Sequence, residues 1–167
     1  ENFSSSISYV TSRGNYVLSR LPSQIPFTIT TNGGNDFEHE GSTVTLGGTA
    51  WINAKEIIID GTPAPLPLTW LDDERWEVRV PLFPGENPLT LTALDFEGNP
   101  AGSDTISVTN TSAIEPASAA NLVISEIHYH PAENNLEEFI ELQNISEKTI
   151  DLSGVTFTDG IDFEFPA

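Results

Sequence analysis

The sequence predicts an all-β protein: one complete β-sandwich, further strands after it, and a short helix ahead of both. Three observations predict it. Apolar and polar residues alternate in short runs, as in Trp76, Val78 and Val80 against Glu77, Arg79 and Pro81. Such runs recur at roughly ten-residue spacing between residues 26 and 111, the rhythm of a sandwich. The 12 glycines and 12 prolines are spread along the 167 residues, as a fold with many turns requires.

Residues 1–21 stand apart from the rest. Ile7, Val10, Val17, Leu18 and Leu21 fall at helical spacing, with Arg13 and Arg20 on another face. Gly14 and Asn15 weaken that helix, and Pro22 and Pro26 end it. Strand patterns follow: Phe27 to Thr31, Thr43 to Leu46, and the apolar run Ile57, Ile58, Ile59 closed by an Asp60-Gly61 turn. Trp76 to Leu82 alternates, as do Leu89, Leu91 and Ala93 against Thr90 and Thr92. Asp95 to Gly98 reads as a turn, and Ile106 with Val108 as a last strand. Trp76 is in phase with Val78 and Val80 and is expected in the core, with Trp51 beside it. Gly33-Gly34 and Gly47-Gly48 read as turns or bulges, since no helix follows that would make them phosphate cradles. Residues 112–120 are small and polar with one proline, and read as a linker. Beyond them come two strands, Val123 to Ile127 and Glu138 to Leu142, then a step at Ile150 to Gly154 and a turn at Asp159-Gly160.

Composition limits the function. Acidic residues number 25 against 6 basic, for a formal net charge of −19. Such a chain repels phosphate backbones and anionic lipid, so nucleic acid and membrane insertion are not expected. A charge of this sign also serves solubility alone. There is no cysteine, which excludes disulfides and thiolate metal sites. No run approaches the roughly 20 apolar residues of a membrane-spanning helix. The sequence opens on Glu1 and holds no methionine, so a processed or excised piece is expected.

Four blocks near the C-terminus carry a resemblance. Ile124-Ser-Glu-Ile-His-Tyr-His-Pro131 is followed by Glu138-Phe-Ile-Glu-Leu-Gln-Asn144, then Ile150-Asp-Leu-Ser-Gly154, then Phe163-Glu-Phe-Pro166. In this order they resemble the first half of a bacterial lamin-tail domain, an immunoglobulin-like β module. Gln143 stands where that pattern usually has tyrosine. Ser8 to Arg13 and Leu18 to Pro22 resemble the closing helix of secreted kinases of the spore-coat CotH type. Residues 26–111 are similar to the bacterial Ig-like domain that follows that helix. The organisation implied is a helix at 1–21 from the tail of an upstream domain, an Ig-like β-sandwich at 26–111, a linker at 112–120 and a partial lamin-tail-like domain at 121–167. A half-domain leaves strand edges and an apolar face uncovered. Other domains of the same polypeptide, a protein partner, or docking onto the first sandwich would complete it.

Candidate sites are few. Glu126, His128 and His130 alternate along one strand and so share a face, where imidazole and carboxylate could ligate a metal; the plainer reading is a polar strand face. Asp95, Glu97 and Asn99 place oxygen atoms around a tight turn, the donor set of calcium, and the plainer reading is an ordinary hairpin. Trp70 lies between a proline-rich run and an acidic turn, a place where an exposed indole would stack on a polysaccharide. Glu137, Glu138 and Glu141 do not converge with any histidine or arginine, and no serine sits in a nucleophile elbow, so catalysis is not expected. The resemblance places any kinase core upstream; no cofactor is expected here, calcium at the Asp95 turn apart. The function expected is a spacer or adhesion segment of a large secreted or surface-attached bacterial protein. The alternatives are a carbohydrate- or calcium-binding module and an accessory tail of a CotH-type kinase.

Overall fold

A computed structural model describes residues 3–62, 64–129 and 138–166. Helix α1 spans Phe3–Leu18. Ile7, Val10, Val17 and Leu18 lie on it as their spacing predicts, yet no residue of α1 is buried. Its visible cohesion is local: Arg13 and Arg20 stand 5.9 and 5.1 Å from the Tyr16 ring centre. Isolated helices of this length are marginal in water, so a covering surface would be the main source of stability for α1.

Nine strands build the sandwich. They are β1 (Thr28–Ile29), β2 (Phe37–His39), β3 (Thr43–Thr49), β4 (Glu56–Ile59), β5 (Pro65–Leu66), β6 (Leu68–Trp70), β7 (Arg75–Pro81), β8 (Gly85–Leu94) and β9 (Pro100–Asn110). One sheet runs β1-β3-β7-β6 and the other β2-β9-β8-β4-β5. With the first strand shared between sheets, this is the strand order of an immunoglobulin-like sandwich. Alternation puts Val44 and Leu46 of β3 and Trp76, Val78 and Val80 of β7 on the inner face of the first sheet. They meet Ile57, Leu89, Leu91, Ala93, Ile106 and Val108 from the second. Each valine, leucine or isoleucine among them contributes about 1.5–3 kcal/mol by leaving water. Asn87, itself buried, ties the β7–β8 turn to β9: its Oδ1 accepts from Phe83 N, and its Nδ2 donates to the carbonyls of Phe83, Gly85 and Val108.

The first strand changes sheets. β1 pairs antiparallel with β3, and β2 pairs parallel with β9. A 3-10 turn at Thr31–Gly34 joins them, with Asn32 at φ 51° and Gly33 at φ 65°. Two carboxylates fix the crossing. Asp104 accepts from Ile29 N at 2.8 Å, and Asp36 accepts from Ser107 N at 2.8 Å.

The structure corrects the reading of Gly47 and Gly48, which lie in the regular interior of β3 rather than at a turn or bulge. Gly48 is needed for space. The Trp76 indole lies against it, fully buried and stacked on Phe27 with ring centres 5.0 Å apart. Trp51, expected in the core, is only half-buried, and its Nε1 donates to the Pro22 carbonyl at 3.0 Å.

Six short strands follow: β10 (Glu115–Pro116), β11 (Leu122–His128), β12 (Phe139–Asn144), β13 (Ile150–Asp151), β14 (Thr156–Phe157) and β15 (Phe163–Glu164). β10 pairs parallel with β13, β11 antiparallel with β12, and β14 antiparallel with β15. The stretch 112–120 therefore carries a strand, β10, within the segment its composition marks as a linker.

Candidate functional site

The C-terminal strands form an open apolar surface. Ile127 faces Ile140 across the β11–β12 ladder, and Leu142 faces Ile124. Period-two alternation puts Ile140 and Leu142 on one face of β12. The β14–β15 hairpin brings Phe157, Phe163 and Phe165 to the same place, with Phe163 and Phe165 in edge contact at 5.0 Å. Between hairpin and sheet lies an open cleft of about 610 Å³. Ile127 is 59% exposed and Phe163 47%. Among the described residues after Asn121, none is buried. Sandwich strands with the same alternation bury theirs. The β11–β12 ladder has two strands, and neither outer edge pairs with another strand among the described residues.

A second, polar site joins this unit to the sandwich. Ser42, buried in the turn between β2 and β3, donates its hydroxyl to Asp151 Oδ2 of β13 at 2.5 Å. Asp151 Oδ1 accepts from Ser153 N at 2.9 Å. The carboxyl of Asp151 is held below the usual aspartate range, mainly by its hydrogen bonds with Ser153 and Ser42, with the Arg79 guanidinium adding to them. Arg79 of β7 donates to Thr43 Oγ1 through Nε and Nη2 at 3.2 and 3.1 Å. Its guanidinium also packs over Gly154, which has φ +75°.

The residues singled out from sequence do not gather into one place. Glu126 stands opposite Glu141 on the neighbouring strand, and Glu141 Oε1 accepts from the Ser125 hydroxyl. His128 stacks on Phe139 with ring centres 5.0 Å apart. His130 and Glu137 lie outside the described residues. Among the described residues, no group of three or more histidine, aspartate or glutamate side chains is placed to hold a metal ion.

Asp95 Oδ1 accepts from Glu97 N and Asn99 N at 2.9 and 2.8 Å, and Asn99 Nδ2 points to Glu97 at 3.4 Å. These bonds close the β8–β9 hairpin, and the backbone bonds hold the Asp95 carboxyl below its usual range. Trp70 sits on edge strand β6, opposite Trp76 and half-buried against the core. Ser42 and Arg79 were not anticipated as site residues, and each looks ordinary within its own turn or strand. Asp151 and Gly154 belong to the recognisable Ile150–Gly154 block, which gave no sign of a contact with the sandwich.

No curated protein matches the chain. Residues 115–167 match the family described as Lamin Tail Domain, so the unit that begins at β10 is a lamin-tail domain.

Proposed function

We propose that this chain is a non-catalytic spacer or adhesion segment of a secreted or surface-attached bacterial protein, and that a further β segment completes its lamin-tail sheet. The observation that carries the proposal is the uncovered apolar face of β11, β12, β14 and β15. An apolar cleft beside two ladder edges that are unpaired among the described residues suits an added strand, whose backbone would pair while its alternate side chains fill the cleft. The net charge of −19 suits an exterior setting and disfavours nucleic acid. The residues at 8–22 that resemble the closing helix of a CotH-type kinase support placement after such a domain, and the exposed stripe of α1 is consistent with a helix that packs on one.

An antibody against residues 26–111, applied to fractionated cells, tests the role. Protein at the surface or in the medium is expected, and protein confined to the cytosol would overturn the proposal. Hydrogen exchange tests the completed sheet. Edge amides of β11 and β12 should exchange more slowly in the native protein than in the isolated chain, and equal rates would refute completion.

A second reading, polysaccharide binding with or without calcium, draws on one observation: Trp70 is half-buried on an edge strand. Retention on a glycan column, lost in Trp70→Ala, would support it. No retention on any glycan would remove it.

A further inference from the structure

We infer that the turn between β2 and β3 is a joint that locks the lamin-tail domain to the sandwich, so that the two travel as one rigid body. Interfaces between domains of one chain are commonly polar and mobile, and mobility is the ordinary expectation. Three features of residues 39–43 argue against it here.

The exit of the sandwich is tied to this turn. Asn110, the last residue of β9, is buried, and its Oδ1 accepts from Ser112 N at 2.8 Å and from Gly41 N at 3.4 Å. Thr111 N donates to the His39 carbonyl at 2.9 Å. The chain is therefore fixed as it leaves, and β10 begins at Glu115. Closing a loop this short costs little entropy.

The lamin-tail domain then returns to the same turn. Pro116 of β10 pairs with Asp151 of β13, and Asp151 reaches Ser42. Ser42 is only 2% exposed, so its hydroxyl needs a partner inside the protein, and the partner is a carboxylate from the other domain. A hydrogen bond to an ionised acceptor is stronger than one between neutral groups, and leaving a buried hydroxyl without one is costly.

Shape supports the chemistry. Arg79 is held on Thr43, the next residue of the turn, and lies against Gly154. A Cβ added at Gly154 would stand 2.8 Å from Arg79 Nη1. Arg79 is one of only six basic residues in a chain of net charge −19, and it lies beside Asp151. The joint also fixes the direction in which the apolar face of β11 and β12 is presented. It does not depend on what that face binds.

Backbone relaxation measured by NMR on the whole chain tests the joint. In the unmodified protein, amides of β7 to β9 and of β12 to β13 should report a single rotational correlation time. Ser42→Ala should split it in two, with the shorter time on the lamin-tail amides. Asp151→Asn should do the same, but it also touches the local turn at Ser153. Ser42→Ala leaves that turn in place and separates the joint from the folding of the domain. Two times in the unmodified protein, or one unchanged time in a folded Ser42→Ala chain, would overturn the inference. The first measurement needs no variant, so a substitution that fails to fold does not protect the idea.

Discussion

Gly48→Ala is a small change that the sandwich should not absorb. A Cβ there would stand 2.0 Å from the Thr28 carbonyl oxygen and 2.4 and 2.7 Å from Cζ2 and Cε2 of Trp76. All three lie far inside the roughly 3.5–4.0 Å of ordinary contact between carbon atoms. Trp76 has no room to retreat, being fully buried and stacked on Phe27. β1 is the weaker neighbour, with two residues in its ladder, so β1 should be the part that gives way. Overpacking costs about 1–3 kcal/mol, and partly uncovering Ile29 adds a share of the roughly 1.5–3 kcal/mol its burial contributes. Against this, replacing glycine stiffens the unfolded chain and returns about 0.4–1 kcal/mol. The net loss should be about 2–4 kcal/mol. With a urea slope of about 2 kcal/mol per molar, the midpoint should fall by about 1–2 M. Tryptophan fluorescence reads the transition directly, because Trp76 is at the point of strain. Gly47→Ala is the control. Its added carbon would meet the Trp76 carbonyl oxygen at 3.3 Å and Glu77 Cγ at 3.5 Å, so its midpoint should move far less. A Gly48→Ala midpoint equal to that of the parent, or a larger loss at Gly47, would refute the packing argument.

Three further outcomes are expected. Asn87→Ala removes four hydrogen bonds at a buried turn and should cost about 1–3 kcal/mol, seen as a lower thermal midpoint with the same fold. Asp151 has a depressed folded pKa, so its contribution should be fully present above the ordinary aspartate value of about 4 and be lost as pH falls through its folded value. The parent should therefore be more stable than Asp151→Asn at pH 7, and the difference should vanish in acid; a difference that persists there would contradict the ionised Asp151 assignment. Glu126 faces Glu141 directly, and like charges opposed across a ladder are unfavourable, so Glu126→Lys should raise stability by about 0.2–1 kcal/mol at low salt and less at high salt. A loss on that substitution would mean the two carboxylates are not opposed in solution.

The sandwich was legible where one face of a strand meets the core and the other meets water. Trp76, Val78 and Val80 announce β7 because burial and alternation coincide there. β2, β5 and β6 are short and lie among prolines, glycines and charged residues, so no alternation marks them. The change of sheets between β1 and β2 depends on Asp104 and Asp36 reaching partners more than seventy residues away, and no local pattern encodes that. Gly47 and Gly48 mislead for a related reason. Glycine punctuates a chain where the backbone needs unusual angles, but at Gly48 it answers a need for space created by a tryptophan on the next strand.

The two sites differ in what a sequence can say about them. Alternation marks an apolar face on β12, at Ile140 and Leu142, but on β11 Ile124 and Ile127 are three residues apart and reach that face through a register shift between Ile124 and Glu126; the structure places the face beside the phenylalanines of the last hairpin. Periodicity does not say what covers such a face, because a covered strand and an uncovered one are written alike. The joint is harder still. Ser42 and Asp151 are 109 residues apart, and serine after glycine or aspartate before leucine is unremarkable in any β protein. What makes them a site is that a buried hydroxyl in one domain meets a carboxylate that Ser153 already orients in the other, a property of the assembled surfaces. Acidic residues are plentiful in this chain and basic ones scarce, so the position of Arg79 beside that pair is informative where another carboxylate would not be. Arg79 sets one of the six basic residues where the lamin-tail domain meets the sandwich, against Gly154 and near the Asp151 carboxylate that binds Ser42.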